Sequence, residues 1–289
     1  MSVAANMPPI DMNACSRDAT AEFFAQVVLA AGPIIMLEYA RECEVRTKLD
    51  SSPVTVADER AEELILGLLR ASAATIPIVA EESVARGAQT SIGRGFILVD
   101  PLDGTREFIS RNGEFTVNVG LVQDGAPVAG AVYAPALGRL WFGGERAFVC
   151  DAAVGAPLPE KSFWRQIQTR AAPAKNLVAL ASRSHCDPAT EAFLAKLPIG
   201  ERRSAGSSLK FCALAEGAAD VYPRFAPTME WDTAAGDAVL RAAGGVVLSV
   251  EGGPLLYGKM ASGLRNGGFI AWGDPVLGAE AAMINEASA

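Results

Sequence analysis

The chain has 289 residues and a mass of 30.1 kDa, which is enough for one large domain or two small ones. Half of its residues are hydrophobic and 20% are charged, which excludes an intrinsically disordered or collagen-like protein. The formal net charge is −8, from 25 basic and 33 acidic residues, so a surface for duplex nucleic acid is not expected.

Targeting signals are not evident in the sequence. Five cysteines lie far apart without the CxxC spacing of a zinc site, which favours reduced thiols in a cytoplasmic protein. The N-terminal segment lacks a basic stretch followed by an apolar run, so no signal peptide is expected. The apolar stretches are interrupted before they reach about 18 residues, and we therefore expect no transmembrane segment.

The first half of the chain predicts two helices followed by short strands. Apolar residues recur at helical spacing over residues 20–41, where Pro33 is expected to introduce a kink, and again over 59–71. The predicted strands that follow are 76–80, 95–99, 115–122, 128–133, 140–142 and 147–150. The turn Gln-Asp-Gly-Ala-Pro between the third and the fourth predicts an antiparallel hairpin.

The second half alternates strands and helices. A stretch rich in Pro and Ala, 151–175, predicts a boundary between two lobes, which we place at 1–165 and 166–289. The predicted strands are 177–181, 219–222, 246–250 and 269–272. The predicted helices are one from Asp187, one near 209–216, one from Asp232 to Ala243 and one from Asp274. The result is an α/β protein of layered helices and sheets.

Three acidic motifs stand at strand ends or helix starts. Glu81-Glu82 follows one predicted strand, Asp100-Pro-Leu-Asp103-Gly-Thr105 follows the next, and Asp232 opens a predicted helix. Carboxylate oxygens suit Mg²⁺, and two such ions could clamp the attacking and leaving oxygens of a phosphoryl transfer. The start of the Asp232 helix would add free N–H groups and a positive dipole end for an anion.

Each of these motifs also has an ordinary structural explanation. Asp-Pro and Asp-Gly form turns, Glu81-Glu82 alone is most often a solvated loop, and Asp232 alone is most often a helix N-cap. Together, with two hydrophobic strands aiming the first two motifs at one edge, they favour a metal site. Two residues separate Asp100 from Asp103, rather than the one found in phosphatases of the haloacid-dehalogenase type, which disfavours a covalent aspartyl-phosphate but leaves it open.

Three segments carry a family resemblance. VAEES at 79–83, VDPLDGT at 99–105 and WDTAAGDAVLRAAGG at 231–245 resemble the signatures of the inositol monophosphatase superfamily of lithium-sensitive, Mg²⁺-dependent phosphatases. The resemblance extends from residue 20 over nearly the whole remaining chain. It implies an αβαβα sandwich whose N-terminal lobe holds a large antiparallel sheet and most metal ligands. The C-terminal lobe would then hold the substrate pocket and Asp232.

The resemblance also implies the roles of individual residues. Two or three Mg²⁺ ions would be bound by Glu81, Asp100, the carbonyl oxygen of Leu102, Asp103 and Asp232. Thr105 and Asp58 would orient and deprotonate the attacking water, with assistance from Glu81. Water would then attack phosphorus directly, without a covalent intermediate. Asp58 has the alternative role of an acid near a helix start, and the surrounding block KLDSSPVTVAD favours the catalytic role.

Further segments narrow the expected substrate. SRSH at 182–185, GSSLKF at 206–211 and YPRF at 222–225 resemble the bacterial 3'(2'),5'-bisphosphate nucleotidases, which hydrolyse 3'-phosphoadenosine 5'-phosphate to AMP and phosphate. By this resemblance the substrate contacts are Glu81, Leu102, Asp103, Gly104, Thr105, Ser184, His185, Gly206, Lys210, Arg224 and Asp232. An inositol monophosphatase is the alternative, because the core motifs are shared.

The second anion pocket that such a substrate needs would use Lys210 and Arg224, because a guanidinium can hold a phosphate by two parallel hydrogen bonds. Lys210 on a helix face could equally extend to solvent, and Arg224, in a loop after Pro223, could form a surface ion pair. His185, the single histidine of the chain, has the alternative role of a packed or capping residue.

The expected partner is therefore a small phosphate ester, handled by a monomer or homodimer. A non-catalytic phosphate sensor on the same fold would have lost a metal ligand or a water-activating residue, and none is missing from the sequence. Some bacterial relatives are described as peripheral on the cytoplasmic face of the inner membrane. No anchor for such an association is evident in this sequence.

Overall fold

The computed structural model describes residues 10–12, 14–41, 45–47, 53–73, 75–181 and 187–286, with the side chains of 45–47, 53–54 and 282–286 left aside. The helices are α1 (Arg17–Tyr39), α2 (Val56–Ser72), α3 (Glu81–Ala85), α4 (Thr105–Ile109), α5 (Pro188–Leu194), α6 (Leu209–Ala215), α7 (Ala234–Ala242) and α8 (Pro275–Glu286). The strands are β1 (Val45–Thr47), β2 (Pro53–Thr55), β3 (Ile78–Ala80), β4 (Gly95–Asp103), β5 (Thr116–Gln123), β6 (Ala126–Ala134), β7 (Arg139–Gly143), β8 (Ala147–Asp151), β9 (Arg165–Ile167), β10 (Leu177–Ala181), β11 (Ile199–Ser204), β12 (Val221–Arg224), β13 (Thr228–Met229), β14 (Val246–Ser249), β15 (Arg265–Asn266) and β16 (Phe269–Trp272).

Two large sheets alternate with three layers of helices. The seven-stranded sheet has the order β3-β4-β5-β6-β7-β8-β9, and the five-stranded sheet has the order β11-β10-β12-β16-β14. α1 and α2 cover one face of the larger sheet, α6 and α7 lie between the two sheets, and α5 and α8 pack on the far side of the smaller sheet. The predicted αβαβα sandwich is confirmed.

The strands predicted in the first half are all present. The β5–β6 hairpin turns through Asp124 and Gly125, whose φ angles of 50° and 78° suit a tight two-residue loop. β4 differs from its prediction, because it runs on through Asp103 instead of ending at Val99. A register shift against β5 between Asp100 and Asp103 allows this extension, and it sets the two aspartates in different surroundings.

Helix α1 begins three residues before the predicted helix and ends two residues before its predicted end. By length and composition it could cross a membrane, so the expectation of no transmembrane segment stays a prediction. However, 61% of its most apolar window is buried inside the fold. It packs against α2 and β6, and Pro33 lies within it. A helix that is buried to this extent is typical of the core of a folded domain.

In the second half, β10 and β16 match their predictions, whereas β11 was missed. β11 pairs with β10 at the sheet edge, and all of its residues after Ile199 are exposed, so it carries no alternating apolar pattern. β9 joins the larger sheet through β8 and covers Arg165–Ile167. The lobe boundary between residues 165 and 166 stays a prediction.

The turn between β7 and β8 caps the N-terminus of α1. The two carboxylate oxygens of Glu145 accept hydrogen bonds from the backbone N–H groups of Arg17 (3.0 Å) and Asp18 (2.8 Å). Asp18 accepts in return from the N–H groups of Glu145 (2.8 Å) and Arg146 (2.9 Å), and from Nε of Arg146 (2.8 Å). These reciprocal hydrogen bonds between Asp18 and the turn at Glu145 and Arg146 form a clamp, which joins two segments that are far apart in the chain.

This clamp predicts a loss of stability in acid. Burial by itself raises the pKa of the Asp18 carboxyl. Hydrogen bonds from Arg146 and Glu145 lower this pKa by a larger amount, so it lies below its ordinary value of 3.8. A carboxyl whose pKa is lowered in the folded state stabilises the fold at pH values above its unfolded pKa. It ceases to do so as the pH falls through its folded pKa.

Asp18→Asn should therefore lower the melting temperature at pH 7, and the difference in melting temperature from the wild type should shrink below about pH 4. Thermal denaturation from pH 7 to pH 3 measures this, with exposed Asp151→Asn as the control. A difference in melting temperature that stays the same from pH 7 to pH 3 would contradict this prediction.

Candidate active site

Glu81 and Asp100 leave neighbouring strands at the same edge of the larger sheet. β3 and β4 are parallel, and Ala80 pairs with Val99, so the next residue of each strand is one of the two acids. The prediction that the two motifs meet at one edge is confirmed. Glu81 begins the short helix α3 and does not lie in a solvated loop.

A buried glutamate that the motif analysis did not single out fixes the start of α3. Glu62 of α2 accepts hydrogen bonds from the N–H of Glu82 (2.7 Å), the hydroxyl of Ser83 (2.7 Å) and Nη2 of Arg86 (2.9 Å). Its side chain is fully buried. The sequence did carry a pattern that could have identified Glu62. It is an acid four positions after Asp58 on an otherwise apolar helix face, and this spacing places both acids on one side of α2.

Asp58 lies inside the first turn of α2, because the helix begins at Val56 and not at residue 59 as predicted. Its Oδ2 accepts from the N–H (2.8 Å) and the hydroxyl (2.6 Å) of Thr55, which completes a capping box. Its Oδ1 lies 3.3 Å from Oγ1 of Thr105. The capping role and the contact with Thr105 therefore coexist in one side chain, which is 1% exposed.

The segment after Asp100 forms a tight corner. Asp100 is buried, and its Oδ1 accepts from the N–H of Leu102 at 3.0 Å. Gly104 has a φ of 91°, a left-handed conformation that favours glycine, and α4 starts at the next residue. This reversal brings Oγ1 of Thr105 within 3.3 Å of the carbonyl oxygen of Leu102 as well as near Asp58.

Asp103 receives hydrogen bonds from Ser207 and Ser208, which follow β11, and from Asn118 of β5. Its Oδ2 lies near the backbone N of Ser208 (2.7 Å), the hydroxyls of Ser207 (2.8 Å) and Ser208 (3.1 Å), and Nδ2 of Asn118 (3.3 Å). These contacts fix the plane of the carboxylate. The segment GSSLKF was noted for its resemblance, but the contacts of Ser207, Ser208 and Asn118 with Asp103 were not predicted, because no pattern of spacing relates these residues to Asp103.

Asp232 lies in the turn before α7, whose N-cap is Thr233 and whose first residue is Ala234. The prediction that Asp232 opens this helix was therefore wrong. For residues 232–234 the expectation of free N–H groups was also wrong. The N–H of Asp232 donates to the carbonyl of Met229, and those of Thr233 and Ala234 both donate to the carbonyl of Glu230. These three donors are satisfied within the turn, so anion binding cannot rest on them.

The two cations of the predicted anion pocket are more buried than expected. Lys210 is 3% exposed and does not extend to solvent, since its Nζ donates to the carbonyls of Ala205 (3.0 Å) and Ser207 (2.7 Å). Burial lowers the pKa of Lys210 to about 8. Arg224 belongs to strand β12 and not to a loop, so its predicted surroundings were wrong. Both side chains face the same cavity as Tyr222.

A cavity of about 270 Å³ collects most of the predicted site residues. Those that line it are Glu81, Asp103, Gly104, Thr105, Lys210, Arg224 and Asp232. Asp58, Asp100, Leu102 and Gly206 are not among its lining residues. Ser184 and His185 lie outside the described residues. The cavity is therefore lined both by carboxylates and by the cations Lys210 and Arg224.

The donors on this cavity suit a hard divalent cation, because they are carboxylate oxygens from Glu81, Asp103 and Asp232. Within the described part of the chain, no three Asp, Glu, His or Cys side chains lie close enough to hold a metal ion by themselves. Mg²⁺ commonly takes only one or two protein carboxylates and completes its shell with waters and substrate phosphate. The arrangement fits that mode of binding.

Comparison with known sequences gives two matching results. The inositol monophosphatase family matches residues 16–278 of the chain. The chain is 43% identical over 245 residues to the 3'(2'),5'-bisphosphate nucleotidase CysQ of Escherichia coli O157:H7, which covers 84% of this chain and 95% of the relative. It is also 43% identical over 249 residues to the 3'(2'),5'-bisphosphate nucleotidase CysQ of Salmonella typhimurium, covering 85% and 97%.

Comparison with solved structures agrees. CysQ from Bacteroides thetaiotaomicron, described as a bacterial member of the inositol monophosphatase family, is 40% identical and superposes with a TM-score of 0.73. That match covers 88% of this chain and 97% of the other. An inositol monophosphatase from Zymomonas mobilis is 24% identical with a TM-score of 0.73, covering 94% and 99%, and shows a shared fold alone.

Proposed function

Because the chain belongs to the inositol monophosphatase family, we propose that it is a 3'(2'),5'-bisphosphate nucleotidase that converts 3'-phosphoadenosine 5'-phosphate and water to AMP and phosphate. The observation that carries the proposal is that one cavity is lined both by the carboxylates of Glu81, Asp103 and Asp232 and by the cations Lys210 and Arg224. A substrate with two phosphate groups matches such a lining, since one phosphate can meet the carboxylates through bound metal ions and the other can meet Lys210 and Arg224. The relatives named as bisphosphate nucleotidases match over more than four fifths of the chain.

Mg²⁺ would be held by Glu81, Asp100, Asp103, Asp232 and the carbonyl oxygen of Leu102. When bound, the ions supply positive charge that polarises the phosphoryl oxygens and favours ionisation of the attacking water. Three of these carboxylates line the cavity, and Asp100 is buried three residues before Asp103. The carboxylates thus supply the oxygen ligands that Mg²⁺ prefers.

Thr105 and Asp58 would accept the proton of the attacking water. Oγ1 of Thr105 can donate its hydrogen to Oδ1 of Asp58, 3.3 Å away, which leaves its lone pairs to accept a hydrogen bond from water. The water oxygen forms a new bond to phosphorus, the bond from phosphorus to the 3'-oxygen breaks, and that oxygen takes up a proton. Asp58 is buried and already holds two donors on Oδ2, so it is oriented for this task before substrate arrives.

The second phosphate would bind to Lys210 and Arg224. Both side chains donate to backbone carbonyls, Lys210 to two of them and Arg224 through its Nε to that of Ala226 at 3.4 Å. Less side-chain entropy is therefore lost when the anion binds. The adenine site is not assigned, because SRSH at 182–185 lies outside the described residues. A cytoplasmic location and a monomeric or homodimeric state remain predictions.

The role of Lys210 predicts a pH-dependent KM. Since burial lowers the pKa of Lys210 to about 8, the ammonium loses its proton above that pH, and the KM for the bisphosphate should rise there. Lys210→Met should raise this KM about 10- to 100-fold at pH 7, because a hydrogen bond to a charged group contributes about 1.5–3 kcal/mol. The variant should also lose the rise in KM above pH 8.

Initial rates on the bisphosphate and on a simple monophosphate, from pH 6.5 to 9.5, measure both effects. The monophosphate KM should change little, because that substrate has no second phosphate for Lys210. Exposed Lys196→Met is the matched control. An equal rise in KM for both substrates would remove Lys210 from the second anion pocket.

The decisive assay for the function compares phosphate release from 3'-phosphoadenosine 5'-phosphate and from inositol 1-phosphate, with and without Mg²⁺ and Li⁺. We expect clear preference for the bisphosphate and dependence on Mg²⁺. Preference for the inositol ester would overturn the substrate assignment in favour of an inositol monophosphatase. Binding of the bisphosphate without any turnover in Mg²⁺ would indicate a non-catalytic sensor.

A further inference from the structure

The segment Ser207-Ser208 connects two acidic residues that lie far apart in the chain. Asp103 belongs to the seven-stranded sheet, whereas Asp232 precedes a helix that lies between the sheets. Ser208 contacts both of them. Its backbone N lies 2.7 Å and its Oγ lies 3.1 Å from Oδ2 of Asp103, and the same Oγ lies 3.0 Å from the backbone carbonyl oxygen of Asp232.

The hydroxyl of Ser208 is fixed by its surroundings. It is 1% exposed, and it accepts a hydrogen bond from Nδ2 of Asn118 at 3.0 Å. A hydroxyl carries one hydrogen, so it can donate either to Asp103 or to the carbonyl of Asp232 at one time. Because the backbone N–H of Ser208 already holds Asp103, the hydroxyl can bind the carbonyl of Asp232 without releasing that carboxylate. This one residue therefore holds both acidic segments together.

Ser207 strengthens the contact with Asp103 at a cost in backbone energy. Its φ of 52° is a left-handed conformation that non-glycine residues rarely adopt. This conformation places its Oγ 2.8 Å from Oδ2 of Asp103 and 2.6 Å from Oγ1 of Thr116. Strained backbone at a site persists where the surrounding contacts hold it, and here the contacts converge on one carboxylate oxygen.

The convergence of donors on Oδ2 orients the other oxygen of Asp103. The carboxylate plane cannot rotate without losing several hydrogen bonds, so Oδ1 is the oxygen that can serve the cavity which Asp103 lines. Partners of metal-binding carboxylates commonly set ligand orientation in this way, and their loss weakens metal affinity.

We propose that Ser208, assisted by Ser207, is a positioning residue that sets the placement of Asp103 relative to Asp232 and thereby the affinity of the site for divalent cations. The inference rests on the proposed function, since it takes these two acids as metal ligands. It adds that a segment from the C-terminal half of the chain determines how tightly the ions are held. Ser208 itself is not among the residues that line the cavity, whereas Ser207 is.

The test is Mn²⁺ binding to the protein alone, followed by electron paramagnetic resonance of free Mn²⁺ and by calorimetry. Ser208→Ala should weaken Mn²⁺ binding by about 10-fold or more, the range known for partners of metal ligands. The Mg²⁺ concentration for half-maximal turnover should rise by a similar factor, whereas kcat at saturating Mg²⁺ should change much less. Ser72→Ala, at another buried serine, is the matched control and should bind Mn²⁺ like the wild type.

A variant that binds Mn²⁺ with wild-type affinity and only melts at a lower temperature would overturn the inference, because Ser208 would then serve the fold alone. Ser207→Ala removes a different donor to the same oxygen and keeps the test available if Ser208→Ala does not fold; it should weaken Mn²⁺ binding in the same direction. Failure of the wild type to bind Mn²⁺ would overturn the proposed metal site, and this inference with it. Phosphate release from the bisphosphate in the wild type reports separately on the proposed function.

Discussion

Asp103→Asn is expected to fold normally and to lose nearly all activity. The donors from Ser207, Ser208 and Asn118 converge on one carboxylate oxygen, so the amide oxygen of the new asparagine will occupy that position. The amide NH₂ group will then face the cavity, where it presents hydrogens to a cation in place of an oxygen ligand. Turnover should fall by more than about 100-fold. Substitution of a residue that only hydrogen-bonds to a metal ligand costs about 10- to 100-fold, and loss of the ligand itself should cost more.

The measurements for this variant are Mn²⁺ affinity, kcat at several Mg²⁺ concentrations and the melting temperature without metal. The melting temperature should stay close to that of the wild type, because the hydrogen bonds to the side chain are retained. Asp124→Asn is the control, since asparagine also suits the left-handed position in the β5–β6 turn. Wild-type Mn²⁺ affinity in Asp103→Asn would remove this residue from the metal site.

Asp58→Asn is expected to lower kcat by about 10²- to 10⁴-fold with little change in KM, the range typical for loss of a general base. The two donors from Thr55 hold Oδ2, so the amide oxygen of the asparagine will keep that place and preserve the capping box. Its NH₂ group will then face Thr105, which loses the carboxylate as an acceptor for its hydroxyl hydrogen and keeps the carbonyl oxygen of Leu102.

Steady-state kinetics on the bisphosphate measure this effect, and thermal denaturation shows that α2 is intact. Exposed Glu63→Gln on the same helix is the matched control and should retain wild-type kcat. A loss of less than about 10-fold in kcat would assign Asp58 to helix capping alone, since general bases contribute far more than that.

Both variants, together with Ser208→Ala, concern a site built where the two halves of the chain meet. The N-terminal half supplies Glu81, Asp103 and Thr105, and the C-terminal half supplies Lys210 and Asp232. Hydrogen bonds across this junction, such as those from Ser208, therefore influence the site directly. We expect substitutions at the junction to change metal affinity and substrate affinity more than substitutions in either sheet.

The sequence by itself determined the layered fold and most of the acidic site. The apolar runs before Glu81 and Asp100 place both acids at one sheet edge, because the two runs pair in register as parallel neighbours up to Ala80 and Val99. Short-range patterns also located the hairpin at Asp124 and the corner at Gly104, since both depend on local backbone preferences.

Only the tertiary structure decided the surroundings of these residues. It buried Lys210, which the helical pattern left open to solvent, and it placed Asp232 in a turn that satisfies its own N–H groups. It also brought Ser208 against Asp103 and Asp232, and Glu62 against the start of α3. These contacts join residues with large sequence separations and no shared period. Their distances depend on how layers pack, and a local pattern of residues carries no information about that packing.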